Sequence, residues 1–314
     1  MSAELEACLP VELRGPGTTI APIAAGLSGA GVYRVEAAGH AYVLKVAPPH
    51  ERRDGWRVRT DILRAAADAG VAPRVVHVDE ARHAVVTELV VDRSLVARFV
   101  DPAARATAIG AALRRVHALP IPPGATSKDP REFLGEIWAG LAGFPLPAWI
   151  GDAVRRALDE APPPPDRAPV LSHNDVNPSN LIHDGERVLF LDWDAAGPND
   201  PLYDLAAVAV FLDLDDAASA LLIAAHDQAP VATALPARFR YLRRVVAALC
   251  GALFLHIARA GGHPGASGGE TFELAPTLAD VHGGLRTRAV SARTPDGQWQ
   301  YGQALLKASV QRVG

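Results

Sequence analysis

The sequence predicts an α+β protein in two parts: a five-stranded antiparallel sheet with one helix over residues 1–91, then a mainly helical part over residues 92–314. Three observations carry this. Between residues 20 and 90, short apolar runs alternate with glycine-bearing turns, which is the pattern of strands and hairpins. From residue 101 onward the apolar residues recur at helical spacing. The length of 314 residues also exceeds what one core usually serves, about 150 per domain.

The elements follow in order. Ile20–Ala24 is a strand, and Gly26-Leu27-Ser28-Gly29-Ala30-Gly31 is a glycine-rich turn. Val32–Val35 and Ala41–Val46 are strands joined through Ala38-Gly39-His40. Residues 51–70 form a helix whose apolar face is Trp56, Ile62, Leu63 and Ala66, and Gly70 ends it. Two further strands, around Val75–Val78 and Ala84–Val90, complete the sheet. Asp101 caps a helix with Pro102 in its first turn, and Ala103–His117 carries Ile109, Leu113 and Val116 on one face. Pro130–Leu141 and its continuation Ala148–Leu158 are helical, Pro162–Pro165 is extended, and Tyr203 opens a helix to about Leu212. The last hundred residues are helical through Arg259, with a glycine-rich stretch at 261–269.

Composition narrows the function. Lysine and arginine number 31 against 35 acids, a net charge of −4 with the signs interspersed, so no basic stripe suggests nucleic acid. The longest apolar stretch, Val245–Ala258, is interrupted by Gly251 and His256 and is too short to span a bilayer. It reads as a buried helix. Cys8 and Cys250 lie far apart, which argues against a disulfide framework and for a reducing cytoplasm, and residues 1–10 carry no secretory signal.

The chemistry concentrates in residues 171–194. His173, Asp175 and Asn180 stand in the spacing H-x-D-x-x-x-x-N, and Asp192 ends the apolar run Val188–Leu191. Asn-Asp, Asn-Pro and Ser-Asn are also ordinary turn dipeptides, so the eight residues alone fit a plain loop equally well. What lifts them is the following hairpin. Leu181-Ile182, a turn at Asp184-Gly185 and a second strand bring Asn180 and Asp192 together. Two oxygen donors on one hairpin suit Mg²⁺, and an Asp on the preceding loop is placed to take the proton of an attacking hydroxyl.

The segment His173–Asn180, then Asp192-Trp193-Asp194 and Pro201-Leu202-Tyr203-Asp204-Leu205-Ala206, resembles the catalytic core of the aminoglycoside phosphotransferase and choline kinase superfamily. The form Leu-Asp-Trp-Asp-Ala-Ala-Gly-Pro-Asn-Asp-Pro is closer to its choline, ethanolamine and thiamine kinase branch. The resemblance implies a bilobed protein-kinase-like fold and transfer of the γ-phosphoryl group of ATP to a hydroxyl of a small molecule. It implies Asp175 as catalytic base, His173 as a scaffold residue of the catalytic loop, and Asn180 and Asp192 as Mg²⁺ ligands. ATP would be held by Lys45, by the backbone of the turn with Gly26, Ser28, Gly29 and Gly31, and by the hinge backbone at Glu88 and Val90.

Lys45 within Val43-Leu44-Lys45-Val46 supports its assignment, because a charge flanked by core residues needs an anion, unless it is an edge-strand lysine facing water. One departure stands out. The family's helix glutamate that pairs with this lysine falls at Arg59, which leaves Asp61 or Glu51 as candidate partners. Asp194 is a further candidate, for a water-mediated Mg²⁺ contact or a cationic substrate. Trp299 and Tyr301 either form a cation–π wall for a quaternary ammonium or pack the tail onto the helical lobe. The expected acceptor is an amino alcohol, with an aminoglycoside or other antibiotic, or a non-catalytic nucleotide-binding role, as alternatives. The expected assembly is a monomer or homodimer in the cytoplasm.

Overall fold

The computed structural model describes residues 2–23 and 30–311. Its contacts divide the chain into two compact units, Met1–Ser127 with Pro169–Asn199, and Lys128–Ala168 with Asp200–Gly314. The first unit therefore runs past residue 91 and takes in the segment with the H-x-D-x-x-x-x-N motif.

In the first unit, α1 (Ser2–Glu6) leads into a sheet of β1 (Thr19–Pro22), β2 (Gly31–Ala37) and β3 (His40–Val46). Then come α2 (Arg53–Asp68), β4 (Val75–Asp79) and β5 (Ala84–Glu88). The order is β1-β2-β3-β5-β4 and every pairing is antiparallel. The five strands and one helix expected from the alternating pattern are all present. Ala38 and Gly39, with φ of 50° and 78°, close the two-residue turn between β2 and β3, a left-handed pair that glycine makes accessible. One face of the sheet packs Val35, Leu44 and Val86 onto Cys8, Leu9 and Leu13. Lys45 lies on the central strand, opposite Val32 of β2 and Val85 of β5. It is not an edge residue.

Beyond the sheet come α3 (Leu95–Arg98) and α4 (Pro102–His117), the latter capped by the Asp101 carboxylate, which accepts from the amides of Ala103 and Ala104. The second unit contributes α5 (Pro130–Gly140) and α6 (Ala148–Asp159), the two helical segments expected, separated where Gly143 at φ 74° and the prolines around it break the path. The chain then returns to the first unit for β6 (Val170–Ser172), β7 (Leu181–His183), β8 (Val188–Phe190) and β9 (Gly197–Asn199). β7 and β8 pair as a hairpin, and β6 pairs with β9.

The remainder is α7 (Pro201–Phe211), α8 (Asp216–Asp227), α9 (Ala237–Ala260), α10 (Leu278–Thr287) and α11 (Pro295–Val310). α9 is the one described helix long and apolar enough to cross a membrane, and 61% of that stretch is buried within the protein, as a core helix would be. Its Gly251 lets α11 approach closely: a Cβ there would stand 2.9 Å from the Gly302 carbonyl and 2.7 Å from Leu306. Trp299 is buried against Phe144 and stacked on His263 at 4.5 Å, so it docks the last helix rather than lining a wall.

Candidate functional site

The first unit assembles the motif from both ends. On the hairpin, the His183 carbonyl accepts from the Arg93 amide at 2.8 Å, and the Asp92 carboxylate accepts from the His183 amide at 3.1 Å. On the other strand, the Phe190 amide donates to the Val71 carbonyl at 2.8 Å, just past α2. The hairpin is thus tied to the chain on both sides of the sheet's last strand pair. Asp92 marks the end of the strands in the sequence, but its anchoring role is visible only in this contact.

The loop between β6 and β7 is shaped by one left-handed residue and by side-chain hydrogen bonds. Asn174 has φ 64°, a conformation asparagine tolerates. Its amide donates to the Ala195 carbonyl at 2.9 Å, and its oxygen accepts from Asn199 at 2.8 Å. His173 is fully buried, edge-on to Trp193 at 4.9 Å and near Phe190. Its Nδ1 accepts from the Asp175 amide, so Nε2 carries the proton and donates to the Leu191 carbonyl at 2.9 Å. A buried ring so placed fixes the backbone just before Asp175.

Asp175 is half-buried. One carboxylate oxygen accepts from Asn180 Nδ2 at 2.8 Å, the other from Asn177 Nδ2 at 3.0 Å. Burial pushes its carboxyl above the ordinary carboxylate value, with the Asp192 charge adding to the rise and the two amide bonds and His173 opposing it. Asn180 gives its NH₂ to Asp175, which leaves the amide oxygen for another partner. Asn177 went unread in the sequence, since an Asn before Pro is also the commonest of turn residues.

Asp192 adopts φ 60° and ψ 75°, an uncommon backbone for a residue with a side chain. Its Oδ1 accepts from Lys45 Nζ at 2.7 Å, and Asp194 Oδ2 accepts from the same ammonium at 2.7 Å. Burial works against the Lys45 charge, but Asp194 and Asp192 outweigh it and hold the ammonium above its ordinary value.

Asp61 does not meet Lys45. It is exposed on α2 with Arg64 as its neighbour, because its position turns it to the outer face of the helix. Glu51 is no partner either: it pairs with Arg59 at 2.6 Å. Glu88 accepts from the guanidinium of Arg74, and its amide donates to the Arg74 carbonyl, while Val90 follows the end of β5. Gly31 opens β2, whereas Gly26, Ser28 and Gly29 lie outside the described residues. The structure thus brings together Lys45, His173, Asp175, Asn180, Asp192 and Asp194.

A hard divalent cation fits this donor set. The free Asn180 amide oxygen and the half-exposed Asp192 carboxylate sit at the two ends of one hairpin, where the Leu191 amide donates to the Asn180 carbonyl at 2.8 Å.

The family model of the phosphotransferase enzyme family matches residues 19–242, well over half the chain. Among curated proteins, Protein LicA of Haemophilus influenzae is 44% identical over 36 residues, a stretch covering 12% of this chain and 14% of that protein. A choline/ethanolamine kinase family protein from Mesorhizobium loti is similar over 97% of both chains, with a TM-score of 0.60 and 24% identity. Spectinomycin phosphotransferase, solved with ADP and spectinomycin, is similar over 98% of this chain and 95% of its own, with a TM-score of 0.59 and 12% identity. At these identities the two structures establish a shared fold.

Proposed function

The chain belongs to the phosphotransferase enzyme family, and on that premise we propose that it transfers the γ-phosphoryl group of ATP to the hydroxyl of a small amino alcohol of the choline, ethanolamine or thiamine kind. The observation that carries the reaction is Asp175, fixed by two asparagine amides and a buried histidine within the same unit as the Lys45, Asp192 and Asp194 cluster. Asp175 accepts the acceptor hydroxyl's proton as its oxygen bonds to the γ-phosphorus and the bond to the β–γ bridging oxygen breaks, releasing ADP. A raised carboxyl suits that role, because a base works best when its affinity for protons approaches the operating pH. Asn180 and Asp192 would hold Mg²⁺, which neutralises charge on the phosphates. Lys45 positions those phosphates, and the hinge backbone at Glu88 and Val90 together with the backbone of Gly26, Ser28, Gly29 and Gly31 holds the nucleotide.

The acceptor reading rests on the second unit. Tyr301 is buried beside Phe254 at 4.7 Å and Phe211 at 6.5 Å, with His282 Nε2 at 3.4 Å from its hydroxyl and the exposed Asp213 close enough to raise its pKa further. Burial keeps Tyr301 un-ionised and His282 neutral, and Asp213 is near enough to act on both groups. Aromatic rings with one carboxylate suit a compact ammonium. Three other carboxylates of this unit are paired with arginines, Asp200 with Arg238, Asp216 with Arg243 and Asp227 with Arg167. The enzyme is read as a cytoplasmic monomer or homodimer, in keeping with two cysteines that form no disulfide.

The test is ADP release from Mg-ATP with choline, ethanolamine and thiamine in one pool and aminoglycosides with spectinomycin in another, and with Asp175→Asn in parallel. Release with the first pool only, lost in the variant, is expected. Release with the second pool only would replace the amino alcohol by an antibiotic.

A further inference from the structure

We propose that Asp194 is the residue that positions Lys45, taking the place of a helix acid that α2 does not supply. The proposal rests on the phosphotransferase reading and adds a role within it. A lysine on the central strand of a sheet, largely removed from water, needs a carboxylate to keep its ammonium in one place. The three acids of α2 are Asp54, Asp61 and Asp68, and all three are exposed. Glu51, just before the helix, is occupied by Arg59. Although α2 packs against the short turn Trp193–Ala195, the acids that reach Lys45 come from that turn and its cap, and not from the helix.

Of those two, Asp192 is the carboxylate assigned to the metal. A carboxylate shared with a divalent cation has less left for an ammonium. Asp194 is not assigned as a direct metal ligand, and its turn is held on both sides. Trp193 Nε1 donates to the Phe190 carbonyl at 2.9 Å, and the Ala195 carbonyl accepts from Asn174 at 2.9 Å. A carboxylate anchored by both neighbours can fix Lys45 without a helix acid, which explains how Arg59 is tolerated where a glutamate is expected. Positioning is the main resource of phosphoryl transfer, so the effect falls on turnover.

The experiment compares wild type, Asp194→Asn, Asp194→Glu, Lys45→Ala and the Asp194→Asn/Lys45→Ala pair. ADP release from Mg-ATP is followed with the best acceptor pool and with water alone, over a titration of free Mg²⁺. Separately, acylation of Lys45 by an amine-reactive ester is followed by mass spectrometry in the nucleotide-free proteins. Asp194→Asn should lower kcat about ten- to a hundredfold, the usual cost of losing a partner that orients a functional group. Asp194→Glu should recover most of it, the Mg²⁺ requirement should not change, and the double variant should be no slower than Lys45→Ala. Lys45 should be acylated faster in Asp194→Asn, because its amine is no longer held by that carboxylate. A raised Mg²⁺ requirement, multiplying losses in the double variant, or unchanged acylation would each overturn the role of Asp194. Wild-type protein that releases no ADP under any condition would overturn the phosphotransferase reading itself.

Discussion

Residues 169–199 hold their shape with three-residue strands, two left-handed residues other than glycine and side-chain hydrogen bonds to backbone, whereas α9 and α11 hold theirs by apolar packing at close approach. In the first region the polar atoms are committed to particular partners. His173, Asn174, Asn177 and Asn180 each orient something else, and the strained φ of Asp192 aims its carboxylate at Lys45. In the second region Leu249, Ala252, Leu255 and Leu306 fill volume. The difference teaches that the candidate site and the packed helical core are built by different interactions, so changes in the two regions should fail in different assays.

The largest effect separates them most sharply. Asp175→Asn should lower turnover by about 10²–10⁴-fold while leaving nucleotide affinity nearly intact. Stability should move the other way. Burial raises the Asp175 carboxyl above its ordinary 3.8, so the folded protein holds that proton more tightly than the unfolded chain does. Its contribution is therefore full below the ordinary value and is lost as pH rises through the higher folded value. Measured against wild type, the melting temperature of Asp175→Asn should gain between acid and neutral pH; a loss there would break the comparison.

Leu306→Ala comes next. This fully buried leucine should cost about 2–5 kcal/mol in denaturant unfolding, with KM for ATP in the folded fraction unchanged. Gly251→Ala is smaller, about 1–3 kcal/mol, because the new methyl meets the Gly302 carbonyl and Leu306 and the two helices must part slightly. A drop in turnover without a drop in stability, for either variant, would show that the helical packing sets the chemistry after all. The smallest effect is expected from Arg57→Ala, whose pair with Glu80 is exposed to solvent, with no measurable change in melting temperature or turnover.

Much of this was legible in the sequence because it is local. The β2–β3 turn follows from Ala38-Gly39, and the capped start of α4 follows from Asp101-Pro102. The hairpin with Asn180 and Asp192 at its ends follows from two apolar runs around Asp184-Gly185. Helical periodicity likewise announces α9 as a core helix. Trp299 was ambiguous for a physical reason: an aromatic near the end of a chain has the same pattern whether it docks a helix or lines a pocket, and only its stacking on His263 decides.

The sequence by itself determined which residue types the site would use and at what spacing, because strand, turn and loop propensities act over a few residues. Tertiary structure alone decided which charges meet. Lys45 and Asp192 are 147 residues apart, and nothing local distinguishes Asp194 from Asp61 or Glu51 as a partner for that lysine. The choice is made by the fold: Glu51 is drawn to Arg59, Asp61 faces outward on α2, and the anchored turn after β8 delivers two carboxylates to the centre of the sheet. The division of the chain is decided in the same way. Strands give way to helices near residue 91, yet 169–199 belongs with the sheet because its hairpin bonds to Val71, Asp92 and Arg93. Contacts between residues far apart in sequence depend on where every element packs, and no window of neighbouring residues encodes that.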